Sequence, residues 1–339
     1  MSCYHPQKAY VTGTTKNGKP KYTIIDYKKP ENLNINEYRM YREKYELNGF
    51  IEVPCGKCIG CLMDKSRDWA NRLLLESLYH DQSWFVTLTY DDAHVPVSGY
   101  TDEFGEYVAT SQTLRKRDVQ LFMKRLRYYA VDKIRYYAAG EYGAETMRPH
   151  YHLILFGLEL SDLKPLQKTK QGFNLYTSAF LERVWSDENF VKLGHVSVGE
   201  FSWETAAYVA RYVTKKQYGE SGRAAYDAFN MEPPFATMSR NPGIGRQYYV
   251  EHPDLFQYEK IEIVTGKGGK SVKPPKYFER LYAEEHPAEY EEMKQRRREA
   301  AEETKKIKFS LTDNDYLRIL SIDENIKKKQ VEKLRRSLE

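Results

Sequence analysis

The chain is predicted to fold as an α+β protein around an antiparallel sheet, and three observations point that way. Short runs of β-branched, aromatic and apolar residues stand at 83–90, 133–140, 150–156 and 194–199, each closed by Gly or Asp. Longer stretches at 64–80, 115–130 and 200–217 carry apolar residues at helical spacing. The link between the second and third runs is too short for a parallel crossover, so those two strands pair antiparallel.

Residues 1–54 are polar and Tyr-rich, with turn signals at Asn17-Gly18 and Lys29-Pro30, and read as an arm with short strands. Cys55-Gly56-Lys57-Cys58-Ile59-Gly60-Cys61 follows Pro54. This C-x2-C-x2-C run can supply three thiolates to one tetrahedral zinc, with Cys3 or His5 as the fourth ligand. A reduced, metal-free knuckle is the competing reading, and an iron–sulfur cluster is disfavoured because no fourth Cys stands nearby in sequence. The 64–80 helix places Trp69, Leu73 and Leu74 on one face, with Leu78 about a turn further on. Ser83 to Tyr90 alternates strongly as a strand and carries no evident catalytic group. Residues 97–110 form a loop or exposed hairpin. In the 115–130 helix Val119, Phe122, Met123 and Leu126 make an apolar stripe. Arg115, Lys116, Arg117, Lys124, Arg125 and Arg127 make it basic, either a solvated face or a phosphate patch.

Further on, 173–185 reads as a helix, 194–199 as a strand and 200–217 as a helix. Residues 218–250 read as turns and loops. The Gly-rich stretch from Ser239 to Arg246 lacks P-loop spacing, so no nucleotide site is assigned to it. Gly266 to Gly269 is a turn. Residues 287–308 are charged helix formers, and 313–339 mix Leu and Ile with Lys, as a solvated extension or a partner surface. The expected division is an N-terminal arm at 1–80, a central catalytic-type domain at 81–250 and a helical extension at 251–339.

Composition narrows the function classes. A net charge of +5 permits nucleic-acid binding without demanding it, and 29 Tyr suit base stacking or phosphate contact as well as sheet surface. No apolar run is long enough to cross a bilayer, and residues 1–10 lack a signal-peptide core. The expectation is a protein without membrane association that stays in the compartment where it is made.

The chemistry gathers at Pro149-His150-Tyr151-His152. On a strand the two imidazoles share a face. In the predicted hairpin Glu141 comes to the same end, with Glu145, in the turn, as the weaker alternative. Two histidines and one carboxylate can hold a divalent ion and leave positions open, and the donor set suits Mg2+ or Mn2+. On the 200–217 helix Tyr208 and Tyr212 are four apart and share a face, which Lys215 and Lys216 continue. Ala206, Val209 and Val213 make its apolar side. A phenol has a pKa of about 10, so it needs a nearby metal and cation to act as a nucleophile at neutral pH.

Taken in order, Phe85-Val86-Thr87-Leu88-Thr89-Tyr90, Pro149-His150-Tyr151-His152-Leu153 and Tyr208-x3-Tyr212 with its lysines resemble the three motifs of rolling-circle replication initiators of the histidine–hydrophobic–histidine (HUH) endonuclease superfamily. The chain more closely resembles the initiators of the microviruses, in particular the gokushovirus branch. Met1-Ser2-Cys3-Tyr4-His5-Pro6, the Cys55–Cys58–Cys61 knuckle and Asn241-Pro242-Gly243-Ile244-Gly245 share in that resemblance, which covers residues 1–250. It implies an antiparallel sheet of about five strands flanked by helices, with the histidines on a central strand and the tyrosines on a helix across from them. It implies attack by Tyr208 or Tyr212 on an origin phosphodiester, a 5′-phosphotyrosyl intermediate, and later strand transfer and circle closure. The implied cofactor is Mg2+ or Mn2+ at Glu141, His150 and His152, beside a structural Zn2+ at Cys3, Cys55, Cys58 and Cys61. The implied partners are single-stranded or replicative-form viral origin DNA and, because no Walker motif is present, a host helicase and polymerase in the cytoplasm of a bacterial host. Two other readings stand beside it. One is a non-catalytic DNA-binding protein built on the Cys knuckle and basic helix. The other is a transposase or relaxase with the same chemistry.

Overall fold

Two neighbouring strands at the centre of the sheet, Ser83–Tyr90 and Pro149–Phe156, explain how the chain around them is layered. The structure, a computed structural model, describes residues 3–16, 18, 20–26, 50–143, 146–169, 172–214, 224, 226–265 and 268–336. Within these, the side chains of 25, 26, 212–214, 265 and 333–336 are outside the description. So are several predicted features: Asn17, the Lys29-Pro30 turn, Glu145, Lys215, Lys216, the Tyr212 and Val213 side chains, and Gly266.

The chain forms two compact units, Met1–Asp64 with Arg298–Arg336, and Lys65–Arg297. The first holds β1 (Gln7–Thr14), β2 (Pro20–Asp26) and β3 (Ile51–Val53) as an antiparallel sheet in the order β2-β1-β3. Helix α1 (Ile59–Ser77) follows the cysteine run. The second unit continues with β4 (Ser83–Tyr90), the hairpin β5 (Val97–Thr101) and β6 (Tyr107–Gln112), and α2 (Lys116–Tyr129). Next come β7 (Arg135–Tyr142), β8 (Pro149–Phe156), β9 (Leu163–Lys168), β10 (Asn174–Ser178), α3 (Ala179–Val184), β11 (Gly194–Glu200) and α4 (Trp203–Thr214). Then follow β12 (Phe235–Met238), α5 (Arg246–Glu251), the hairpin β13 (Ile261–Thr265) and β14 (Gly268–Val272), and α6 (Lys276–Glu285). Helices α7 (Pro287–Ser310) and α8 (Tyr316–Arg336) end the described chain.

The α+β class holds, with a seven-stranded antiparallel sheet ordered β12-β7-β8-β4-β11-β10-β9 in place of the expected five or so. The added strands β9 and β12 lie at the two edges, where pairing with one neighbour suffices. The helix expected at 173–185 is instead strand β10 followed by short α3. Leu175 and Tyr176 pair with β11, and β9 closes the other side. The helix then starts where Ser178 Oγ accepts from Leu181 N at 3.1 Å, a side-chain cap of the usual kind. Asp162 buttresses that cap, accepting from Ser178 Oγ and Phe180 N, each at 2.8 Å.

Alternation sorts the sheet's two faces. Val86, Leu88 and Tyr90 of β4 and Tyr151, Leu153 and Leu155 of β8 pack under α2 and α3, against Val119, Phe122, Leu126 and Trp185. The predicted α2 stripe is therefore its buried face. Tyr90 donates to buried Asp118 at 2.7 Å and lies 2.9 Å from the Tyr151 hydroxyl, so two of the many tyrosines serve the core. On the other face Tyr137 and Ala139 of β7 and Ile154 and Phe156 of β8 pack against Ala70 and Leu73 of α1 and Ala206 and Val209 of α4. Small residues at 206, 207 and 210 let α4 approach the sheet closely. A reciprocal cap starts this helix: Ser202 N donates to Thr205 Oγ1 at 2.9 Å, and Thr205 N donates to Ser202 Oγ at 3.2 Å.

Composition placed domain limits at 80 and 250, whereas the compact units part after residues 64 and 297. A third apolar cluster is the reason. Leu74 and Leu75 of α1 pack with Tyr248, Phe256, Ile261, Ile263, Phe278 and Met293, so residues 251–297 join the second unit.

The stretch read as a Gly-rich loop is held by buried charge. Glu76 of α1 pairs with Arg135 at the start of β7, lies 3.3 Å from His80 Nε2, and accepts from Gly245 N at 2.6 Å. Arg135 also donates to the Pro242 carbonyl at 2.9 Å, and Arg72 donates to the Ile244 carbonyl at 2.9 and 3.2 Å. Gly245 sits at φ +75°, where a Cβ would strain the backbone and meet the Arg72 carbonyl at 3.3 Å. Burial pushes the Glu76 carboxyl upward, but its bonds to His80, Gly245 and Arg135 outweigh that and hold it below the usual carboxylate range. A carboxyl depressed on folding stabilises above its unfolded pKa, and that contribution is lost as the pH falls through the folded value. Glu76→Ala is expected to cost about 3–5 kcal/mol, because it strands a buried guanidinium. Glu76→Gln is expected to flatten the acid limb of stability, and urea unfolding as a function of pH measures both.

Candidate active site

Register builds the site. Glu141 of β7 lies opposite His150 of β8, and Thr87 and Thr89 of β4 lie opposite His152 and His150. Side chains two apart share a face, so Glu141, His150, His152 and Thr87 converge on the face that α4 covers. A single carboxylate oxygen, Glu141 Oε1, lies 2.8 Å from His150 Nε2 and 3.1 Å from His152 Nε2. The far ring nitrogens are also engaged. His150 Nδ1 is 3.1 Å from the Arg148 carbonyl, and His152 Nδ1 is 3.0 Å from Thr87 Oγ1. Arg148 itself is anchored at the end of β4, donating to Asp92 at 2.6 Å and to the Tyr90 carbonyl at 2.8 Å.

These contacts constrain the protons. A carbonyl only accepts, so His150 Nδ1 carries a hydrogen, and Nε2 then faces Glu141 with either a second proton or a cation between them. Neighbouring ligands of an octahedral ion with bonds of about 2.1 Å stand roughly 3.0 Å apart. The two N–O distances match that spacing, so the donor set fits a divalent ion. Burial raises the Glu141 carboxyl, but the two imidazole hydrogen bonds overcome this and hold it below its ordinary value. The carboxylate is therefore charged where a cation would need it. Glu141 and His152 side chains are each 7% exposed and His150 is 20% exposed, so the site opens to solvent at His150.

Tyr208 of α4 completes the cluster. Its ring meets His152 edge-on with centroids 5.2 Å apart and meets Phe85 likewise at 6.0 Å. Ala206 and Val209, predicted as the sheet-facing side of that helix, are fully buried. Tyr212 lies on the same helix, with its side chain outside the described residues, as are Lys215 and Lys216. The basic helix α2 packs on the opposite face of the sheet, so its cations do not line this site. Arg125 is committed to the Ser186 and Asp187 carbonyls, and Arg127 lies over Tyr136 at 5.2 Å.

Two groups escaped the sequence reading. Thr87 supplies the oxygen beside His152, and the Arg148 backbone supplies the one beside His150. Alternation along 83–90 places Thr87 and Thr89 on one face, but only the β4–β8 pairing reveals which residues they meet. In the first unit the four predicted cysteines Cys3, Cys55, Cys58 and Cys61 also come together. Among the described residues no helix is long and apolar enough to cross a membrane.

Comparison with known proteins agrees with this arrangement. Residues 83–217 match the family model of the replication-associated protein ORF2. The chain is 32% identical over 328 residues to a replication-associated protein ORF2 of Spiroplasma virus 4, covering 94% of this chain and 93% of that one. It is 31% identical over 257 residues to a replication-associated protein VP4 of Bdellovibrio phage phiMH2K, covering 73% and 72%. A replication-associated protein ORF4 of Chlamydia phage 1 is 31% identical over 191 residues, covering 52% of this chain and 43% of that one. No solved structure matches the chain.

Proposed function

The chain belongs to the replication-associated protein family of the microviruses, and from that premise we propose that it initiates rolling-circle replication by nicking origin DNA through a tyrosine. The observation that carries this reading is the convergence of Glu141, His150 and His152 on one carboxylate oxygen, with Tyr208 against His152. Glu141, His150 and His152 would hold a divalent cation, Mg2+ or Mn2+, whose chemistry is to polarise the scissile phosphate. Thr87 and the Arg148 carbonyl orient the imidazoles so that both Nε2 atoms face the site. The Tyr208 phenol loses its proton and its oxygen bonds to phosphorus. The bond from phosphorus to the 3′ oxygen breaks, and that oxygen leaves as a 3′-hydroxyl. The ester is conserved in the 5′-phosphotyrosyl link, so a 3′-hydroxyl can later displace it without ATP. Tyr212, four residues on, would supply the second phenol for circle closure. Lys215 and Lys216 would favour the phenolate and bind phosphate. Unwinding and synthesis would fall to a helicase and polymerase of the bacterial host cell.

The test is direct. End-labelled single-stranded origin DNA incubated with the protein and Mn2+ or Mg2+ is expected to yield a covalent adduct on the new 5′ end, resolved on a denaturing gel. Chelation with EDTA is expected to suppress it by about 10²-fold or more. Salt-sensitive DNA binding with no adduct under any metal would instead support a non-catalytic binding protein.

A further inference from the structure

The cysteine cluster stands apart from the chemistry above and is used by none of it. Cys3, Cys55, Cys58 and Cys61 belong to the first compact unit, and all four are thiols. Three come from the short stretch before and at the start of α1, and the fourth comes from the head of the chain. Their sulfur atoms lie within 4.8 Å of one another, and Cys3 Sγ is 3.9 Å from Cys58 Sγ. Four thiolates at a Zn–S distance of about 2.3 Å around a tetrahedral ion have edges of about 3.8 Å. A disulfide would draw a pair to roughly 2.0 Å. The spacing is therefore that of four ligands around one ion.

The backbone is arranged for anionic sulfur. Lys57 N and Cys58 N point at Cys55 Sγ at 3.4 and 3.3 Å. Cys55 N points at Cys3 Sγ and Tyr4 N at Cys58 Sγ, both at 3.3 Å. Gly56, at φ +75° with open space where a Cβ would stand, makes the turn that aims two of these amides inward. Cys58 immediately precedes α1, whose first turn favours negative charge. Such amide-to-sulfur bonds are the outer support that thiolate ligands use.

His5, the other candidate for fourth ligand, is committed elsewhere. Its Nε2 lies 2.9 Å from Glu324 Oε2 of α8, a carboxylate that also lies 3.2 Å from Lys328 Nζ. We infer that Cys3, Cys55, Cys58 and Cys61 bind one Zn2+ as a closed, structural tetrathiolate centre that ties residue 3 to the start of α1. The four Sγ–H bonds give up their protons as four Sγ–Zn bonds form, and nothing is oxidised or reduced. The centre joins other ties in the same unit: Glu52 of β3 accepts from Lys305 at 3.1 Å and from the Tyr316 hydroxyl at 2.8 Å. The chain's first residues and its C-terminal helices thus share one zinc-stapled unit.

The inference goes beyond the nicking reading and is tested without DNA. Full-length protein, purified under reducing conditions and analysed by plasma mass spectrometry, is expected to hold one zinc per chain through dialysis against mild chelator. Cobalt replacement is expected to give the intense sulfur-to-metal charge-transfer band and the visible bands of tetrahedral tetrathiolate cobalt. His5→Ala should keep the zinc and the unchanged cobalt spectrum. Cys3→Ser should lose most of the zinc and weaken the charge-transfer band by about a quarter in whatever cobalt remains bound. Should Cys3→Ser fail to fold, the band intensities of the wild type and of His5→Ala still count the thiolates. Iron in place of zinc, a mass two daltons low for each oxidised pair, or loss of zinc in His5→Ala would each overturn it. Glu141→Gln is expected to retain the zinc, which separates this outcome from that of the nicking reading.

Discussion

A protein carrying both Tyr208→Phe and Tyr212→Phe is expected to bind single-stranded origin DNA within about twofold of wild type and to lose covalent adduct by at least about 10³-fold. The substitution removes two hydroxyls and leaves the rings. The Tyr208 ring keeps its edge-on contacts with His152 and Phe85, so the cluster that shapes the site persists. Stability is expected to change by less than about 1 kcal/mol, since no buried cavity opens. Single variants divide the labour: Tyr208→Phe is expected to abolish the first cleavage if Tyr208 is the initiating phenol, and Tyr212→Phe to block circle closure. Denaturing gels of labelled DNA read all three. Adduct that survives in the double variant would show that another residue is the nucleophile.

Glu141→Gln is the second large effect, and it acts on the metal rather than on the attack. The substitution keeps size and shape but removes the charge on which both imidazoles converge. The metal concentration that half-saturates adduct formation is expected to rise by at least about 10²-fold. Thr87→Val should raise it less, by about 10-fold, because it removes only the oxygen beside His152 Nδ1 and leaves the ligands in place. Metal titrations of the two variants against wild type give the ordering. A Glu141→Gln protein with the wild-type metal response would remove Glu141 from the ligand set and with it the three-residue site.

Much of this arrangement could be read from local chemistry. The period-two pattern at 83–90 set strand β4 to the residue, and the apolar stripe Val119, Phe122, Met123 and Leu126 defined the buried side of α2. The His150 and His152 pair, the α4 helix and a short hairpin that brings Glu141 near them were all legible, because each rests on spacings of a few residues. Other features depended on which distant segments meet. Backbone pairing with β11 and β9 drew 174–178 into the sheet where a helix was expected, since a ladder of interstrand hydrogen bonds outweighs weak local propensity. Pairing between β4 and β8 made Thr87 a partner of His152, a relation that spans 65 residues. The α2 cations fell on the far side of the sheet from Glu141, which the count of charges could not foretell. Between Cys3 and His5, two residues apart, the choice turned on Glu324, which engages His5 from 319 residues away. Periodicity is a property of neighbours along the chain, whereas register, facing and ligand choice belong to segments brought together by folding.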